Sequence, residues 1–194
     1  MSALGHILYD WFGLNHALFR LVNGMHGELW DRLMVAVSAL ADAANFPWYM
    51  AAVLLLSRAT PRLVSLQNAF VFGIGFPLLE LIVSALKTTT ALPRPAAALG
   101  ADAVTLIDRQ AGGGSFPSAH VAFAALFAAA LAPGAPKPLR WVLWSVVVVV
   151  ALSRLALGVH FPADAAGGVL VGIGVALVIR GLLLYWGGAG RRAG

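Results

Sequence analysis

Apolar runs of membrane-spanning length fill most of this chain, with three short polar blocks set between them. A helical span needs about 20 mostly apolar residues. Five runs approach that length, at about 33–56, 68–86, 118–131, 139–157 and 163–186. The first is interrupted by Asp42, Asn45 and Pro47, and the second carries Glu80. The third is short and rich in alanine, the fourth holds the uncharged stretch Trp141 to Leu152, and the fifth is broken only by Arg180. Composition agrees. Of 194 residues, 60% are hydrophobic and 11% charged, against roughly 25% charged in a soluble domain.

Residues 3–25 differ. Leu4, Ile7, Leu8, Trp11, Leu14, Leu18 and Leu21 recur near helical spacing among polar residues. That pattern predicts an amphipathic helix lying in the membrane interface in preference to a sixth span. Asp10, Asn15, His16 and Arg20 interrupt any apolar core, so no cleavable signal peptide is expected here. The expected fold is an all-α integral membrane bundle of five to six transmembrane helices with an N-terminal amphipathic helix. It forms a single domain over 1–194: an amphipathic segment at 1–30, the bundle at 31–186 and a basic tail at 187–194.

The chain has no cysteine, which excludes disulfides, thiolate catalysis and cysteine-based metal sites. Its net charge of +5 reads as loop cations that orient a membrane protein, with no nucleic-acid partner expected.

The polar blocks are Lys87 to Pro95 (KTTTALPRP), Ser115 to His120 (SFPSAH) and Ser153 to Asp164 (SRLALGVHFPAD). Charges near hydrocarbon are expensive, so clustered ones mark a site that uses them. Block one follows the second run and block two opens the third. The chain then crosses, turns at Pro133 to Pro138 and crosses back, so block three joins the fourth and fifth runs on the same face. The other face carries Arg58 and Arg62, Lys137 and Arg140, and Arg191 and Arg192. Lysine and arginine in short loops mark the cytoplasmic side, so the blocks are expected to face outward, toward the periplasm of a bacterial inner membrane.

Ser118 stands where a helix N-cap belongs, after Pro117 and the flexible run Gly112-Gly113-Gly114. A helix N-terminus offers unpaired N–H groups and partial positive charge to an anion. Lys87, Arg94 and Arg154 add cations around it, and phosphate suits forked guanidinium donors. His160 lies between helices just after Gly158, and Pro162 suits the first turn of the next helix. Asp164 is placed to hold one imidazole nitrogen, fixing the tautomer and leaving the other free to attack. His120 then protonates the departing oxygen, while the cations stabilise charge on the transferring phosphoryl group.

Lys87-x6-Arg94-Pro95, Pro117-Ser118-x-His120 and Ser153-Arg154-x5-His160-x3-Asp164 resemble the three signature motifs of the type 2 phosphatidic acid phosphatases. The resemblance implies a membrane lipid phosphatase that works through phosphohistidine without metal or cofactor. By motif position His160 is the nucleophile, Asp164 its orienting partner and His120 the acid. Lys87, Arg94, Ser118, Ala119 and Arg154 line the phosphate site, and water activated by His120 releases inorganic phosphate. Ala119 stands where the family usually has glycine, so a narrower pocket with less tolerance for bulky head groups is expected. The segment Leu14-Asn15-His16-Ala17-Leu18-Phe19, followed by Asp31, resembles the undecaprenyl diphosphate phosphatases. That subgroup gives the leading substrate, followed by phosphatidylglycerophosphate or phosphatidic acid and then lipid A. The implied partners are the lipid phosphate and the bilayer.

Several polar residues fall outside the motifs. Glu80 reads as a hydrogen-bonding group inside the bundle, and Asp42 and Asn45 as lining a cavity or relieving a helix break. Asp108 and Arg109 read as a solvated loop, and His6, His16 and His26 lack ligand spacing. Gly168 and Gly172 form a small-xxx-small step suited to helix packing.

Overall fold

The computed structural model describes residues 9–108 and 113–190, and every regular element among them is helical. They are α1 (Leu14–Asn23), α2 (Glu28–Leu40), α3 (Phe46–Ala59), α4 (Leu66–Thr90), α5 (Pro95–Leu99), α6 (Ala119–Leu131), α7 (Lys137–Ala156) and α8 (Pro162–Gly190). Among the described residues, three stretches are long and apolar enough to cross a membrane: Leu66–Leu99, Lys137–Ala156 and Pro162–Trp186. The chain is an all-α integral membrane protein. His6, Arg109, Gly112, Arg191 and Arg192, and residues 3–8 of the amphipathic segment, lie outside the described residues.

The first expected run is a bent pair. Glu28–Leu40 and Ala43–Ala59 are together long and apolar enough to cross but meet at 51°. The polar residues at the break stabilise it, because each gives the interrupted backbone a partner. Asp42 accepts from the Ala44 N–H at 2.8 Å, Asn45 Nδ2 donates to the Ala39 carbonyl at 2.7 Å, and the Tyr49 hydroxyl donates to the Leu40 carbonyl at 2.8 Å. The second run is longer than its apolar pattern. Lys87 to Thr90 continue α4, with Thr88, Thr89 and Thr90 hydroxyls folded back onto the carbonyls of Ser84, Ala85 and Leu86. Block one therefore begins inside the helix rather than after it.

α6 is the shortest of the apolar helices and the centre of the bundle, packed by α8, α4 and α7. Its alanines let neighbours approach closely, and α8 answers with glycines. A Cβ on Gly168 would stand 2.7 Å from the Ser118 carbonyl oxygen, and one on Gly172 2.4 Å from that of Ala122. The expected packing step is present, and it seats the start of α6 against α8. At the far end Asn68 Nδ2 donates to the Pro133 carbonyl at 3.1 Å, and Arg180 donates to Asn68 Oδ1 and the Ala130 carbonyl.

α1 is amphipathic, with its leucines on the outer face of the bundle and its asparagines packed inward. Leu14, Leu18 and Leu21 are exposed, whereas Asn15, Asn23 and Phe19 are buried. At 10 residues and about 1.5 Å per residue, α1 is about half the length a span requires. The buried amides satisfy irregular backbone beside the fourth-to-fifth connection. Asn15 Oδ1 accepts from the Ala163 N–H at 2.8 Å. Asn23 exchanges hydrogen bonds with Thr105 and donates to the Ala156 carbonyl. Phe19 packs edge-on against Phe161, with ring centroids 5.1 Å apart.

Candidate active site

Hydrogen bonds join the three polar blocks directly. Lys87 Nζ donates to the Gly114 carbonyl at 2.9 Å, and the Ser115 N–H to the Leu92 carbonyl at 2.8 Å. Arg94 Nη1 donates to the Val159 carbonyl at 3.3 Å, and the Ser118 N–H to the Asp164 carbonyl at 3.0 Å. Residues from the end of α4, the start of α6 and the α7–α8 connection thus form one cluster.

The connection itself is shaped by Gly158, whose φ of +78° suits glycine alone among common residues. A Cβ there would also stand 2.4 Å from the Thr105 carbonyl oxygen. The turn delivers His160, and Pro162 opens α8 so that Asp164 falls in its first turn. His160 and Asp164 are buried, 1% and 0% exposed. His160 Nδ1 lies 3.3 Å from Asp164 Oδ2, which leaves Nε2 on the opposite side of the ring. Asp164 Oδ2 also accepts from Ser115 Oγ at 2.5 Å and from the Phe161 N–H at 2.8 Å. Oδ1 accepts from the Tyr9 hydroxyl at 2.8 Å. Burial pushes the His160 imidazole down to about 4, and the Arg154 and Arg94 charges act in the same direction. The hydrogen bond and charge of Asp164 oppose the shift without cancelling it. The imidazole is therefore neutral at physiological pH and able to act as a nucleophile.

A group of hydrogen-bond donors lies beside this pair. Ser118 holds the N-cap position of α6, but its hydroxyl makes no cap bond. Ser118 Oγ, Arg154 Nε and Arg154 Nη2 are buried without a hydrogen-bond partner among the described residues. Arg154 Nη1 donates to Ser38 and to Asp108, 3.3 Å away. Asp108 is thus paired with a site residue, against the solvated role expected of it. Ala119 is the first residue of α6. His120, in the same turn, is within electrostatic reach of Arg154, His160 and Lys87. Buried donors left unpaired cost about 1–3 kcal/mol each, a cost that a bound phosphate oxygen removes.

Below His120 runs an apolar cleft of about 310 Å³, lined among others by Leu40, Tyr49, Phe123, Phe127, Val146 and Val150. Phe123, Ala124 and Phe127 share a face of α6 with His120, and Val146 and Val150 share one of α7 with Arg154. The cleft therefore begins about one helical turn from His120 and Arg154 along these two helices.

The structure brings Lys87, Arg94, Ser118, Ala119, His120, Arg154, His160 and Asp164 into this one region. Sequence reasoning missed Tyr9 and gave Ser115 no role. Ser115 opens the second block and had that signal. Tyr9 had none, because it lies 155 residues from its partner. Glu80 Oε1 is buried without a hydrogen-bond partner among the described residues. No group of three or more metal-ligating side chains occurs among those residues.

A family model described as PAP2 superfamily matches residues 62–187. The fold is similar to that of Aquifex aeolicus LpxE, with a TM-score of 0.76 and 26% identity over 86% of this chain and 94% of that one. It is also similar to a transmembrane PAP2-type phosphatidylglycerolphosphate phosphatase from Bacillus subtilis. There the TM-score is 0.72 and the identity 19%, over 93% of this chain and 89% of that one. No curated protein sequence gives a significant match.

Proposed function

This chain belongs to the PAP2 superfamily, and from that membership we propose a metal-independent phosphatase that hydrolyses a lipid phosphate or diphosphate through phosphohistidine. One observation carries the reading: buried donors on Ser118 and Arg154 without a partner among the described residues stand beside a buried, neutral histidine held by a carboxylate. Anion grip and nucleophile share one place.

His160 Nε2 attacks phosphorus, and the bond from phosphorus to the lipid-side oxygen breaks. His120 gives that oxygen its proton. Lys87, Arg94 and Arg154, with the N–H groups at the start of α6, offset the charge on the equatorial oxygens. Water then attacks phosphorus, the phosphorus–nitrogen bond breaks, and His120 takes the water's proton. Inorganic phosphate leaves and His160 is neutral again. Permanent cations take the charge-neutralising role that a metal has in other phosphotransfer sites.

The apolar cleft beneath His120 supports a substrate with a hydrocarbon tail. Undecaprenyl diphosphate is the leading choice, on the resemblance of Leu14 to Phe19 and Asp31 to enzymes that act on it. Phosphatidylglycerophosphate stands beside it, because the Bacillus subtilis protein named for that activity shares the fold. The cationic loops at the opposite end from the site support an outward-facing site in a bacterial inner membrane.

Phosphate release from undecaprenyl diphosphate, phosphatidylglycerophosphate, phosphatidic acid and lipid A, in the presence of a chelator, tests the reading. Wild-type protein is expected to release phosphate from at least one of them and His160→Ala from none. Folded wild-type protein that releases phosphate from no lipid overturns the proposal.

A further inference from the structure

We propose that Tyr9 is a positioning residue of this active site: its hydroxyl sets the plane of the Asp164 carboxylate that orients His160. The N-terminal segment thereby becomes part of the catalytic machinery. The proposal rests on the phosphohistidine reading above.

The argument concerns how a carboxylate is held. Its torsion is broad, with no strong staggered preference, so its neighbours must fix it. Ser115 Oγ, the Phe161 N–H and His160 Nδ1 all meet the same oxygen, Oδ2. Contacts on one oxygen locate that atom but leave the group free to turn about it. The Tyr9 hydroxyl, 2.8 Å from Oδ1, is the contact that stops the turn. Its ring is held edge-on to Phe116 of the second block and to Phe161 beside the nucleophile, with centroids 6.4 and 6.1 Å away. Burial, with the Asp164 charge next, pushes the phenol well above its usual range, so the hydroxyl remains a donor wherever the enzyme works. Without it, Oδ1 of a fully buried carboxylate loses a donor, and the imidazole loses a fixed reference for its tautomer and tilt.

Tyr9→Phe removes one oxygen and keeps the ring packing. The full chain, wild type, Tyr9→Phe and His160→Ala, is assayed against the four-lipid panel, with single-turnover trapping of the phosphoenzyme and thermal unfolding in detergent. Tyr9→Phe is expected to lower kcat and the rate of phosphoenzyme formation by about 10- to 100-fold, the scale of a hydrogen bond to a charged group. KM is expected to stay as in wild type, and the unfolding temperature to fall with the lost bond while the protein remains folded at the assay temperature. Wild-type kcat in Tyr9→Phe, while His160→Ala is inactive, overturns the role of Tyr9 alone. A loss that only follows lost folded protein does the same. Wild type inactive on every lipid overturns the phosphatase reading and this proposal with it.

Discussion

At the scale of single residues, His160 is a base that burial keeps neutral far below the usual range for histidine. An unfolded histidine takes up a proton near pH ~6.5, the folded one near about 4. Between those values the unfolded chain binds more protons, so this residue's contribution to stability is full above the upper value and lost as pH falls toward the lower one. Two outcomes follow. Phosphoenzyme formation loses no rate to His160 protonation until pH approaches about 4, as a pH–rate profile would show. His160→Gln flattens the acid side of the unfolding curve, which thermal melts across that window would measure. The convergence of the motif residues was legible because each block sits at a helix end on the same face of the bundle. Tyr9 was not, since nothing local links it to a carboxylate so distant in the chain. The free hydroxyl of Ser118 was equally hidden: sequence gives the cap position, and only packing decides whether the cap bond forms.

At the scale of elements, the contact between α6 and α8 sets the register of the site, because the Ser118 N–H reaches the Asp164 carbonyl across it. Gly172→Ala places a methyl against the Ala122 carbonyl and Leu126 N–H, 2.4 and 2.7 Å from its Cβ. The helices must separate, at a cost of about 1–3 kcal/mol or more. Lower thermal stability and lower activity are expected together. Gly174 meets nothing within 4 Å, and Gly174→Ala is expected to be neutral or to stabilise by up to about 1 kcal/mol. Parallel melts of the two variants in detergent check the contrast. That the apolar runs are helical was legible; where the helices end and break, and so how many of them span, was not. Threonines that return their hydroxyls to the helix extend α4 past its apolar pattern. Asp42 and Asn45 end α2 inside a run that hydropathy alone treats as continuous.

At the scale of the molecule, counting crossings was enough to bring the three blocks to one end, since a bilayer permits little else. It was not enough to place α1. The exposed leucines of that segment gave the amphipathic signal, but its buried asparagines decide where it docks, and their partners are backbone groups that only the assembled bundle creates. The Asn15 bond to Ala163 spans 148 residues, and this has a consequence for biosynthesis. This segment leaves the ribosome well before α8 but finds its place only after it, because its dock is made by the later helix. On the proposed mechanism, His160 lacks Asp164 until α8 is in the membrane, so a partly inserted chain is expected to be a silent one. The cysteine-free sequence makes this order measurable. With a single Phe19→Cys at a position fully buried in the finished fold, a maleimide is expected to label chains arrested before α8 and to be excluded once α8 has inserted. Exclusion already in the shorter chains would show that the segment docks early and that completion is not timed in this way.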